Sequence, residues 1–322
     1  MAETIIDVPA ANVLIPTFRG RMPCRIRWKE KELPSAKVKI IDLPKPDGGT
    51  RRIYSPDRHL RFHLRYMARA FNRLFELIKS NQVKGSLERI VFEAVCAFVR
   101  RGDPVSAALR HSPYVYTIQI DIRRCFDSIT PDILSAGVHT CPVVSNYAGP
   151  LSSNKTGLFI DGHLPQGYST SPMLCNFALL GADYFAVSAL KSKESRFVYT
   201  RYADDITVSV NNKDLVDYAI GAVVGALGIY GLSTAEDKLK VQCGRSNRRR
   251  ILGVSVDDMG VYPTRETVRR LQRLQRVDAR RGYKSSQTLG LEAWVKHITD
   301  VRDQFQMELQ DKIMRDLRRN ND

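Results

Sequence analysis

The chain has 322 residues, 43% of them apolar and 26% charged, ample for a packed core of two or three subdomains in one catalytic unit. Its 50 basic residues against 34 acidic ones leave a formal charge of +16, which points to a polyanionic partner, nucleic acid ahead of an anionic membrane surface. No apolar run approaching the roughly 20 residues of a bilayer span stands out, the start MAETIIDVPAANVLIP is acidic where a signal peptide is basic, and the six scattered cysteines form no CxxC pair, so the expectations are no membrane, a reduced cytoplasmic setting and no zinc site.

Residues 1–34 are mixed and weakly periodic. The stretch KVKIIDLPKPDGGTRRIYSP (37–56) reads as strand, turn, strand, with Asp47-Gly48-Gly49 as the turn. A helix is expected over 59–79, where Leu60, Leu64, Met67, Ala70, Leu74 and Leu77 share a face, and another over 88–101. Residues 115–122 alternate and are rich in β-formers. Residues 131–180 read as mainly helical, with a loop and a short hairpin about TGLFIDGHLPQG. A hairpin over 197–210, a helix over 214–230 and short strands over 240–262, punctuated by Gly244, Gly253 and Gly260, follow. From Thr264 onward helix is expected: Thr264 can cap it, and Val268, Leu271, Leu274 and Val277 recur at near-helical spacing. There is no internal repeat and no strict βαβ rhythm, so the fold class is α+β.

Charge concentrates near the end of the chain. Residues 245–284 hold twelve basic side chains against four acidic ones, half the net charge of the whole. Pairing along a helix cannot neutralise that excess, so Arg265, Arg269, Arg270, Arg273 and Arg276 are expected to form a nucleic-acid-binding face.

In YTRYADDITVS (199–209), Asp204 and Asp205 stand side by side between β-formers. Two like charges about 4 Å apart repel by roughly 4 kcal/mol at an effective dielectric near 20, which a fold tolerates when the pair is solvated, protonated or metal-bound. Arg201, three residues earlier, is expected to offset the cluster or to face solvent. A second strand, YTIQIDIRRCFDSI, ends similarly at Asp121. If both strands share one sheet the three carboxylates converge, and such an oxygen-rich set suits two Mg²⁺ ions, with Mn²⁺ as a substitute, and in-line nucleotidyl transfer.

DIRRCF at a strand end, LPQGYSTSP and YADD, in that order, resemble the reverse transcriptase family over about residues 37–262, with bacterial retron, abortive-infection and other defence-associated enzymes the nearest in look. The resemblance implies a right-hand polymerase. Fingers would occupy 1–113. The palm, with an antiparallel sheet and inserted fingers elements near 130–165, would occupy 114–262, and a basic helical thumb 263–322. It implies an RNA-directed DNA polymerase that copies a dedicated non-coding RNA in a retron or anti-phage system, with template RNA, dNTPs and cDNA as partners, and an effector protein or a second copy as further ones. By position, Asp121, Asp204 and Asp205 would be catalytic metal ligands, with the Ile122 carbonyl beside them. Phe126 falls at the steric gate that selects deoxyribose. Gln166 and Gly167 match the segment along nucleotide and template. Arg51, with Arg52 and Lys45 as neighbours, matches the triphosphate-holding hairpin. Lys238 resembles a lysine that protonates pyrophosphate, and ILGVSV (251–256) a primer-grip hairpin. Two departures bear on the retron reading: Ala107 stands where retron enzymes carry Asn, four residues before His111, and Ile251-Leu252-Gly253 where they favour Val-Thr-Gly. A template-independent or protein-primed DNA polymerase, or a non-catalytic RNA scaffold, remains the alternative.

Overall fold

The computed structural model describes residues 4–19, 25–44, 48–154, 157–245 and 247–319. Cys24, Lys45, Asp47 and Thr156 lie outside them.

The weakly periodic start is three strands: β1 (Thr4–Val8), β2 (Ala11–Arg19) and β3 (Arg25–Leu33). β4 (Ala36–Pro44) and β5 (Thr50–Pro56) form the expected hairpin, and β1 joins it in the antiparallel order β1-β4-β5. β2 and β3 pair as a separate two-stranded ribbon. The ribbon buries Val13, Ile15 and Leu33 and leaves most of its charged residues outward, so its alternation is real but masked by composition. α1 (Arg58–Ser80) follows. Asp57 caps it, Oδ1 accepting from the Leu60 amide at 2.8 Å, and Leu60, Leu64, Met67, Phe71, Leu74, Phe75 and Ile78 are buried.

α2 (Leu87–Ala94) ends sooner than the expected 88–101. Val95 turns extended and bridges Arg201, whose carbonyl accepts from the Cys96 amide at 2.9 Å. Pairing with a distant strand overrides helix propensity there. Next come α3 (Pro104–Leu109), β6 (Tyr116–Asp121), α4 (Cys125–Ser128), α5 (Pro131–Thr140), α6 (Pro142–Ala148), α7 (Ser171–Lys193), β7 (Phe197–Tyr202), β8 (Asp205–Val210), α8 (Val216–Ile229) and β9 (Lys240–Cys243). A small sheet of β10 (Arg249–Ile251), β11 (Val254–Asp257) and β12 (Gly260–Pro263) leads into α9 (Arg265–Arg281) and α10 (Ser286–Arg319). The class is α+β, as expected.

The central sheet is antiparallel in the order β7-β8-β6-β9. Its two faces differ. Ile118 and Ile120 of β6, Ile206 and Val208 of β8 and Tyr199 of β7 share the face packed on the main core with α7. Thr117, Gln119 and Asp121 of β6 share the other face with Asp205, Thr207 and Ser209 of β8. A smaller core of Val105, Ala108, Ile251, Val254, Val256, Val261 and Ile298 joins α3, the β10–β12 sheet and α10.

α7, by length and composition, is apolar enough to cross a bilayer, contrary to the expectation that no such run exists. Most of it is buried in the main core, packed against α2, α5 and α8, which accounts for its composition. α5 lies so close to α7 that a Cβ on Gly137 would fall on the Ala178 carbonyl oxygen. Gly137→Ala gains up to about 1 kcal/mol of helix propensity but overpacks a backbone contact at a cost of about 1–3 kcal/mol. The expected outcome is a net loss, read as a lower urea midpoint with an unchanged slope.

Candidate active site

The register of the central sheet places Asp121, the last residue of β6, opposite Asp205, the first of β8. Asp204 stands in the tight turn between β7 and β8, and its carbonyl accepts from the Ile122 amide at 3.0 Å. The three predicted carboxylates therefore meet at one end of the polar face. The Ile122 carbonyl takes no part in the flanking bonds, Ala235 amide to Asp121 carbonyl and Arg123 amide to Ser233 carbonyl.

Asp121, Ile122 and Asp204 front a cavity of about 910 Å³, lined also by Arg51, Arg52, Tyr54, Phe98, Phe126, Asp127, Gln166 and Lys238, while Asp205 lines the cavity next to it. Phe98, Arg124, Asp161 and Ala203, all lining it, hold positive φ of 62°, 47°, 50° and 59°. Each costs on the order of 1 kcal/mol or more, and these are four of the six non-glycine residues with positive φ among the described residues, Arg101 and Leu252 being the others.

Arg201 is neither solvent-facing nor a direct counter-charge to the cluster. It is fully buried beneath the turn. Nε and Nη2 bind the Asp183 carboxylate of α7 at 2.7–3.0 Å, and Nη1 donates to Asn176 Oδ1 at 3.0 Å and to the Ala203 carbonyl at 3.2 Å. Tyr199 donates to the same carboxylate at 2.7 Å. Burial opposes the guanidinium charge, but Asp183 more than offsets it and holds the pKa above the ordinary arginine value. One fork thus ties the Ala203-Asp204 turn to the core helix. The sequence signal was Asp183 itself, a lone acid in the apolar stretch of α7.

The carboxylates are poor in compensating charge. Desolvation by the cleft walls, then the charges of Asp204 and Asp121, push Asp205 up to about 6, although its outer edge stays open to water. Asp204 is raised by burial and by Asp121. Lys238 supplies the nearest positive charge: Nζ sits 3.1 and 3.2 Å from the two Asp121 oxygens, and that hydrogen bond raises its pKa. Among the described residues no three His, Cys, Asp or Glu side chains are drawn into a ready-made metal cage. The donor set nevertheless fits a hard divalent cation: three carboxylates and a carbonyl, all oxygen, with the pKa values of Asp204 and Asp205 raised in a way that added positive charge would relieve.

The remaining predicted residues divide. Arg52 pairs with Asp42 at 3.1 Å, whereas Arg51 makes no ion pair with any described residue and stands free at the cavity edge. Phe126 is half-buried on the cavity wall. Gln166 Nε2 donates to Asp127 Oδ1 at 3.3 Å. Gly167, at φ +113°, is crowded by protein backbone: a Cβ there would strike the Tyr54 carbonyl oxygen of β5. Arg265, Arg269, Arg270, Arg273 and Arg276 are exposed on α9, capped by Thr264, and line neither this cavity nor its neighbour. That neighbour, of about 670 Å³, runs from Asp205 past Lys240 to Leu252 and Gly253 of the 251–256 segment. Gln242 fastens its wall, donating to Gln119 and accepting from the Arg250 amide. His111, beside the departure at Ala107, is buried and bonds Ser209 Oγ and Thr200 Oγ1, a brace across the sheet; burial lowers its pKa and keeps it neutral.

Residues 43–256 match the family model for reverse transcriptase (RNA-dependent DNA polymerase). The chain belongs to the reverse transcriptase family. Among curated members it is similar to the Retron Ec83 reverse transcriptase of Escherichia coli, 25% identical over 239 residues that cover 70% of each chain. It is also similar to the Retron Ec73 reverse transcriptase of Escherichia coli, 32% identical over 181 residues that cover 53% of each. In fold it resembles a Candida tropicalis telomerase solved with a fragment of telomeric RNA, with a TM-score of 0.54 and 12% identity over 86% of this chain and 54% of that one. The chain thus spans about half the length of that telomerase and of the Ec73 relative. It is a retron-like reverse transcriptase, an RNA-directed DNA polymerase by class, on the right-hand polymerase fold.

Replacing Asp183 by Asn leaves the Arg201 charge buried without a counter-ion, at a cost of about 3–5 kcal/mol. Chemical denaturation of this reverse transcriptase variant checks it; a loss below about 1 kcal/mol means the fork does not hold the core to the turn.

Proposed function

We propose that this reverse transcriptase copies a dedicated, structured non-coding RNA into DNA, with Asp121, Asp204 and Asp205 as its catalytic carboxylates. The observation that carries the reading is the register of Asp121 against Asp205, with Asp204 in the turn before β8, where Asp121 and Asp204 face a cavity lined by Arg51, Phe126, Gln166 and Lys238 and Asp205 faces its neighbour. The three carboxylates and the Ile122 carbonyl would hold two Mg²⁺ ions, Mn²⁺ being a substitute. Bound there, such cations supply charge stabilisation for in-line nucleotidyl transfer.

The chain's own groups take the other tasks. Arg51, lacking a partner among the described residues, receives triphosphate oxygens on a planar fork. Phe126 stands beside the sugar and excludes a 2′-hydroxyl. Gln166, steadied by Asp127, lies along the nucleotide. Lys238 stays protonated beside Asp121 and holds at Nζ a proton for the departing pyrophosphate. The segment 251–256, across the second cavity from Asp205, takes the primer end, and the exposed arginines of α9 take the phosphates of the template–primer duplex. We assign fingers to 1–113, palm to 114–262 and thumb to 263–322. Alongside the similarity to retron reverse transcriptases, the proposal extends to a dedicated RNA template, a cytoplasmic setting, a role in anti-phage defence, and an effector protein or second copy as partner.

Two variants test this reading. Asp204→Asn with Asp205→Asn is expected to lower dNTP incorporation by about a thousandfold or more while RNA binding persists. Equal loss of both would make the pair structural, and full incorporation without template would make the enzyme template-independent. Phe126→Ala is expected to admit ribonucleotides, read as a fall of about tenfold or more in the dNTP/NTP ratio of kcat/KM; an unchanged ratio removes the gate assignment.

A further inference from the structure

α1 turns its apolar side to the core, and its solvent side carries Arg58, Arg61, Phe62, Arg65, Tyr66 and Arg69. Nothing in helix physics rewards this stripe. Arginines in the first turn oppose the helix dipole, which only the cap Asp57 answers. Arg61, Arg65 and Arg69 stand at successive i,i+4 positions and repel, and the first acid on the helix is Glu76. Arg58, Arg65 and Arg69 make no ion pair with any described residue. Phe62 is 70% exposed, in T-shaped contact with His63, and Tyr66 is 48% exposed with Lys31 Nζ 5.3 Å from its ring centroid, so both large rings are accessible among the cations.

The stripe begins beside the catalytic cavity. A cleft of about 220 Å³ is lined by Tyr54, Ser55, Arg61, Arg65, Gly167 and Ser169. Arg61 is fixed there, donating to Ser55 Oγ at 3.1 Å and the Pro56 carbonyl at 2.9 Å. Tyr54 and Gln166, which line the catalytic cavity, are joined by the Tyr54 amide donating to the Gln166 carbonyl at 2.7 Å. A wall one residue thick therefore separates the two, and a strand passing Gln166 and Gly167 arrives at Arg61 and Arg65.

We propose that this face of α1 is a binding site for unpaired RNA: the template strand ahead of the point of copying, its phosphates on Arg58, Arg61, Arg65 and Arg69 and its bases stacked on Phe62 and Tyr66. The proposal rests on the reading of the chain as an RNA-directed polymerase. Charge alone would suit any polyanion. The interleaved rings select the unpaired strand, because duplex RNA keeps its base faces stacked internally, whereas a single strand offers them to aromatic side chains.

The experiment uses the full chain, a fluorescent single-stranded RNA and an A-form RNA duplex of equal length. Phe62→Ala with Tyr66→Ala is expected to weaken single-strand binding by about tenfold or more and to leave duplex binding within twofold. Arg58→Ala, Arg65→Ala and Arg69→Ala together should flatten the single-strand salt dependence by about 2 in log–log slope. All five side chains are exposed, so the folded state tolerates their loss, which an unchanged or higher Tm verifies. On primer–templates, extension past a long 5′ overhang should fall while extension across a one-nucleotide overhang stays at the wild-type rate. Unchanged single-strand affinity, or equal loss on duplex, overturns the proposal. Absence of templated incorporation by the wild-type chain would instead overturn the polymerase reading and leave the binding result standing.

Discussion

Beneath the turn that carries Asp204 lies a guanidinium cut off from water, and its geometry sets the geometry of the site. Arg201 can keep its charge there only because Asp183, Asn176 and the Ala203 carbonyl occupy its donors. A buried pair of this kind adds little net stability over a well-packed apolar alternative, since desolvation consumes most of the Coulomb attraction. What it contributes is position. The turn must place two adjacent carboxylates against a third on β6, and their mutual repulsion would spread it. The fork from α7 and the Ile122–Asp204 bond from β6 hold it from two sides, with Ala203 kept in the left-handed region between them.

That constraint explains why the two faces of the central sheet differ. The face shared by Ile118, Ile206 and Val208 buries against α7, which gives α7 its membrane-like composition and makes it a rigid anchor for Asp183. The opposite face ends in Asp121 and Asp205, and behind them Thr200 and Ser209 bond His111 while Thr117 bonds Ser209, rather than being left unpaired. A neutral imidazole braces the strands without adding charge near the carboxylates. The positive charges that act on Asp204 and Asp205, those of Lys238, Lys240 and Arg51, sit on the cavity walls in long side chains.

What the sequence disclosed follows from range. Asp121, Asp204 and Asp205 were legible because each ends or begins a β-rich run, and the hairpin, α1 and α9 because their periodicity is local. The ribbon of β2 and β3 was not, since charged residues at outward positions hid its alternation. The premature end of α2 was not, because Val95 and Cys96 are claimed by Arg201, more than a hundred residues on. Arg201 itself was misplaced for the same reason: its partner is 18 residues away on another element. Gly167 was matched to the segment along nucleotide and template, whereas the atom nearest to a Cβ there is the Tyr54 carbonyl oxygen, a contact only the fold creates. On α1 the periodicity drew attention to the buried side, and the outward side went unread.

α1 and α9 are both rich in arginine, yet they differ in one respect that separates their ligands. α9, RETVRRLQRLQRVDARR, has no aromatic residue, and Leu271 and Leu274 are only half-buried between its cations. α1 sets Phe62 and Tyr66, both exposed, among its own cations and Lys31. A template–primer duplex offers a protein mostly phosphates, for which arginines suffice, while a strand not yet paired offers base faces as well. On the proposed reading the template meets α1 while its bases are free and α9 after they are covered. The order in which a copied strand passes the carboxylates is then the order in which rings cease to be useful to it.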